Sequence, residues 1–93
     1  MIVWFNKETT AKGAPSTYTL NIEGRMNEPG SGPIIEIVLV IKGPDETKVK
    51  TLFTHNPSVR AGEEFDNDDI LAKYQHKISK FMEKIPQLDF ARL

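Results

Sequence analysis

Nine consecutive residues near the middle of the chain, Ile34-Ile35-Glu36-Ile37-Val38-Leu39-Val40-Ile41-Lys42, restrict the fold more than any other segment. Six of the nine are β-branched, which disfavours a helix, and apolar side chains occupy nearly every position, so alternation cannot give this strand a wet side. Such a strand belongs inside a sheet with cover on both faces.

Three further segments supply the rest of the sheet. Residues 2–6 form a short apolar run. In residues 16–23, Tyr18, Leu20 and Ile22 alternate with Thr17, Thr19, Asn21 and Glu23, the pattern of a strand with one dry and one wet face. Residues 47–55 alternate as well, with Val49, Thr51 and Phe53 on one side and Lys48, Lys50 and Leu52 on the other. Gly43-Pro44-Asp45-Glu46 joins this strand to the central one as a short hairpin turn. The 24–33 connection carries Glu28-Pro29-Gly30-Ser31-Gly32-Pro33 and reads as a flexible hairpin loop. It lacks the Gly-Lys-Ser/Thr ending of a phosphate-binding loop and the glycine spacing of a dinucleotide turn.

The periodicity then changes. Ile70, Leu71, Tyr74, Ile78, Phe81, Met82 and Ile85 recur at three- and four-residue steps and project within an arc of about 120°, the stripe of a helix lying on a sheet. The helix is predicted from Asn67 to Ile85, capped by Asp66 or Asn67 and ended by Pro86. The chain therefore reads as one α+β domain over 1–93: an antiparallel four-stranded sheet in ββββα order with one C-terminal amphipathic helix on one face. Residues 86–93 resume an alternating pattern, as a short fifth strand or a docking tail.

Composition removes whole classes of chemistry. The absence of cysteine eliminates thiolate nucleophiles, redox pairs and thiolate zinc sites. The N-terminal apolar run has no preceding basic residues and is too short for a signal-peptide core, and no segment approaches the roughly 20 apolar residues of a membrane span. Asn56-Pro57-Ser58 fails as a glycosylation sequon because of its proline. These features predict a cytoplasmic protein with no membrane partner. A net charge of −1 gives no global attraction to nucleic acid, so any charge-driven binding must be local.

Catalytic constellations are equally sparse. Glu63, Glu64, Asp66, Asp68 and Asp69 form the densest charge run, but counting from Asp66 the sixth position is Leu71 and the twelfth Lys77, where a calcium loop requires Gly and Glu. Helix capping accounts for the cluster. His55 and His76 stand 21 positions apart, without metal-ligand or base-and-nucleophile spacing, and none of Ser16, Ser31, Ser58 and Ser79 sits in a nucleophile elbow. No cofactor and no metal ligand is expected.

Two surfaces remain. Lys73, Lys77, Lys80 and Lys84 project within about 60° of one another beside the apolar stripe, a basic ridge that Lys48 and Lys50 could extend towards phosphates. The other surface is the far side of the sheet, since one helix covers one face only. If Ile35, Ile37, Leu39 and Ile41 meet the helix, then Ile34, Val38 and Val40 point outwards, joined by Leu52 and two of Ile2, Val3, Trp4 and Phe5, an apolar patch of the kind that marks a partner or dimer interface. The four-strands-then-helix order resembles that of the PUR-repeat and Whirly single-strand nucleic-acid binders, which use the open sheet or dimerise through this unit. The likeness is one of architecture, and no residue is carried over from it.

The leading expectation is a non-enzymatic binding or regulatory protein acting through a protein–protein surface, as a phage- or plasmid-type inhibitor or accessory factor. Trp4, Ile34, Val38, Val40 and Leu52 would form its partner or homodimer face. The alternatives are a single-stranded DNA or RNA binder, in which Lys48, Lys50 and the helical lysines meet phosphates while Trp4 or Phe5 stacks on bases, and a small enzyme built on His55 and the 63–69 acidic cluster.

Overall fold

The computed structural model describes residues 1–27, 34–56 and 67–93, the side chains of 67–69 apart. Four strands, β1 (Ile2–Thr9), β2 (Thr19–Asn27), β3 (Ile34–Lys42) and β4 (Thr47–His55), form an antiparallel meander in the spatial order β1-β2-β3-β4. The helix α1 (Asn67–Lys84) follows and lies on one face of the sheet. It is an α+β fold in the expected order.

β3 and β4 have the bounds read from the sequence. β1 runs three residues beyond its apolar start because Lys7, Glu8 and Thr9 pair with Ile22, Asn21 and Leu20 of β2. β2 begins late because a turn, closed by the Tyr18 N–H donating to the Pro15 carbonyl at 3.0 Å, precedes it. It ends late because pairing on both sides carries it to Asn27.

Leu20, Ile22 and Met26 of β2 and Ile35, Ile37, Leu39 and Ile41 of β3 turn towards α1, which answers with Ile70, Tyr74 and Ile78. All of these are buried. Removing a Leu- or Ile-sized side chain from water contributes about 1.5–3 kcal/mol, so this single layer supplies most of the drive to fold.

Each edge strand contains one irregularity. The β1–β2 register slips between Val3 and Phe5, and the β3–β4 register slips where Ile37 pairs with Phe53 but Val38 with Thr51. An extra residue in one strand shifts the alternation, so two consecutive residues there share a face. Trp4 and Phe5 therefore both turn to the helix side, as do Leu52 and Phe53.

Pro86 stops the α-helix, and the chain continues through two 3-10 turns, Ile85–Gln87 and Phe90–Arg92. The final residues dock instead of forming a strand. The Lys12 N–H donates to the Leu88 carbonyl and the Phe90 N–H to the Lys12 carbonyl, both at 2.8 Å. Phe90 meets Tyr18 edge-on with ring centroids 5.0 Å apart, and the Tyr18 hydroxyl donates to a Glu46 carboxylate oxygen at 3.2 Å. The tail thus holds together the 10–18 loop and the 43–46 turn at one end of the sheet.

Candidate functional site

The outer face of the sheet differs from the apolar patch expected of it. Val38 and Val40 do point away from the helix, in register with Glu23 and Asn21, but they are buried, at 1% and 5% exposure. Polar side chains stand beside them on β2, and Val49, opposite Val40 on β4, is 51% exposed. The Asn21 side-chain amide donates to the Asn6 carbonyl oxygen at 2.8 Å, and the Asn6 amide donates to Glu23 at 3.0 Å. Arg25 in turn donates from Nε to Glu23 at 2.9 Å, with Nη2 2.7 Å from the same oxygen. This ladder crosses β1 and β2 beside the two valines. Ile34 lies at the strand start, half-buried.

The other expected members of that face are elsewhere. Trp4 is 6% exposed and packs on Tyr74 of the helix, centroids 6.0 Å apart. Leu52 packs against the helix-side core. Leu52 keeps the side of β4 that it shares with Lys48 and Lys50, and the β3–β4 register turns that side to the helix; at the β1 irregularity Trp4 and Phe5 share the helix side. Trp4 is accordingly buried away from bases, and its Nε1–H has no hydrogen-bond acceptor among the described residues.

The lysines, by contrast, come together. Lys48 and Lys50 pair with Ile41 and Leu39, whose side chains are in the helix-side core, so both lysines point into the helix layer. They are tolerated there because α1 leans over β1 and leaves β4 largely exposed. The opposing helix flank carries Lys77, Lys80 and Lys84. Lys77 Nζ stands 5.1 Å from the Phe53 ring centroid, and Lys73 Nζ 5.9 Å from that of Tyr74, distances at which an ammonium is attracted to the ring face.

Between β4 and α1 lies a cleft of about 230 Å³, with Lys50 and Lys84 the two lysines in its lining. Lys50 comes from β4 and Lys84 from α1, and Leu52, Phe81, Ile85, Leu88 and Leu93 form its apolar walls. Lys48, Lys50, Lys80 and Lys84 make no ion pair with any described residue. Sequence reading found the lysines but missed Phe81, Leu88 and Leu93 as the walls between them, because the docked tail that brings the leucines there has no local signature.

Next to the cleft, His55 and Tyr74 form a polar contact, Nδ1 to the hydroxyl at 2.7 Å. Burial raises the Tyr74 pKa above its ordinary value of 10.0, so the phenol remains neutral at physiological pH. A neutral phenol locked to an imidazole ties the strand end to the helix. The acidic cluster that would complete the enzyme reading lies outside the described residues or has its side chains there.

A second, larger groove of about 500 Å³ runs along the other flank of the helix, between Phe5 and Lys7 of β1 and Leu71, Ile78, Met82 and Glu83 of α1. Its rim carries charges of both signs. Among the described residues no group of three His, Asp or Glu side chains gathers to hold a metal ion, and no helix is long and apolar enough to cross a membrane.

The chain matches no protein-family model, no curated protein and no solved structure.

Proposed function

We propose that this protein is a non-enzymatic binding or regulatory protein that acts by occupying a partner protein through the cleft between β4 and α1. One observation carries the reading: lysines from two different elements converge on a single apolar depression while making no ion pairs among the described residues. Holding like charges together costs electrostatic energy, and an opposite charge on a partner relieves that cost. Apolar walls surrounded by charge also have the composition of an interface, in which a hydrophobic centre is ringed by a polar rim. The partner is another protein chain, a second copy included. The outer sheet face supports this role less well, because its central valines are already covered.

A second reading draws on the same lysines. Lys48 and Lys50 on the helix side of β4 and the lysines along α1 suit the phosphates of a single-stranded nucleic acid, whose binding would weaken steeply with salt. Its weakness is stacking, since Trp4 is buried and Lys77 already stands over the ring of Phe53.

The test is affinity capture from the native host with the natural chain and with a Lys50→Glu/Lys84→Glu variant of unchanged melting temperature. A protein retained by the first and lost from the second supports the reading. Nuclease-sensitive retention favours the nucleic-acid alternative, and capture that ignores the substitutions removes the cleft from consideration.

A further inference from the structure

We infer that the β4–α1 cleft receives an acidic segment of the partner protein, which seats one large aliphatic or aromatic side chain on Leu52, Phe81 and Leu88 and sets carboxylates against Lys50 and Lys84. This deepens the preceding reading and rests on it. The dimensions decide the first part. At about 230 Å³ the cleft lies below the roughly 300–1,000 Å³ of small-molecule and cofactor sites, and has room for a side chain in place of a whole ligand.

The charge decides the second part. Lys50 and Lys84 flank the apolar walls from opposite elements, the cleft has no acidic side chain in its lining, and neither lysine has an ionic partner among the described residues. An apolar anchor between carboxylates complements that arrangement. A nucleic-acid strand does so less well, because the walls are mostly aliphatic and bases bind by stacking on aromatic faces.

The mode of contact follows from β4 itself. An exposed edge strand invites pairing with a foreign strand, but β4 carries an irregularity at Leu52 and the inward-pointing Lys48 and Lys50, all features that obstruct strand addition. Recognition therefore runs through side chains. The anchor sets most of the affinity, while the carboxylates govern partner choice and association rate.

Selection from a displayed library of random dodecapeptides against the full chain tests the inference. The expected winners carry Asp or Glu on both sides of a Leu, Ile, Phe or Met. Replacing that residue by Ala should weaken binding about tenfold, and Lys50→Glu with Lys84→Glu by about tenfold or more, with the Gln variants intermediate and all binding reduced by salt. Winners without acidic bias, or affinities indifferent to both lysines, would overturn it. So would an oligothymidylate that displaces the winners at lower concentration than they displace each other. If no acidic peptide is selected while host capture still depends on Lys50 and Lys84, the inference fails and the binding function stands. If capture is also indifferent, both fail.

Discussion

The indole of Trp4 packs against Gly24, where a Cβ would come within 2.5 Å of ring atoms Cε2 and Cζ2, closer than real contacts allow. That absent side chain is what lets a large aromatic residue lie under the helix at a strand irregularity. Gly24→Ala should therefore destabilise the fold by about 1–3 kcal/mol, the usual cost of forcing extra volume into a packed site. In urea the midpoint should fall with the m-value unchanged, and an unaltered midpoint would show that the indole is not seated there. A second expectation concerns alkali. Tyr18 and Tyr74 are the only tyrosines, and both have raised pKa values, Tyr74 through burial and Tyr18 chiefly through its hydrogen bond to Glu46. A phenol that is harder to ionise in the folded state contributes stability that is complete below its unfolded pKa and disappears as pH rises through the folded one. Tyrosinate absorbance should thus appear above pH 10 and coincide with a falling melting temperature, and Tyr74→Phe should flatten that fall.

The docked tail is the element whose role is easiest to isolate. It joins the 10–18 loop by two backbone hydrogen bonds and the Tyr18–Phe90 ring pair, which adds about 0.5–1.5 kcal/mol beyond the area it buries. Phe90→Ala should cost at least that much and, more specifically, should speed amide hydrogen exchange at Lys12 while leaving the β2–β3 amides protected. Uniform acceleration across the sheet would instead mean that tail and core unfold as one unit. Among the elements, β3, β4 and α1 were legible in the sequence because each announces itself by composition and ends at a turn residue or a proline. The polar half of β1 and the far end of β2 were not, since pairing with a neighbour determines them and no local pattern records it. Facing was lost for the same reason, since the pairing of Lys48 and Lys50 with Ile41 and Leu39 decides which side of β4 meets the helix, and one additional residue at each irregularity brings Phe5 and Phe53 to that side as well.

For the whole molecule, the error that mattered concerned which side is available. Sequence reasoning assigned the open sheet face the larger apolar area, yet Val38 and Val40 are buried there, and beside them Asn6, Asn21, Glu23 and Arg25 form a hydrogen-bonded ladder that period-two patterning cannot reveal, because it depends on lateral neighbours. The spacing of the helical lysines was legible, but that Lys84 shares a cleft with Lys50 required knowing that α1 sits off-centre. That displacement gives the helix two unlike flanks, one rimmed by lysines and one of mixed charge. Leu93 contributes a wall to the basic cleft, whereas Met1 is 75% exposed and lies outside both grooves. A fluorophore, purification handle or surface tether joined after Leu93 would emerge beside the mouth of the cleft and compete with whatever binds there. The same group attached at Met1 would start outside the lining of both grooves, so the point of attachment decides whether a binding assay reports on the cleft.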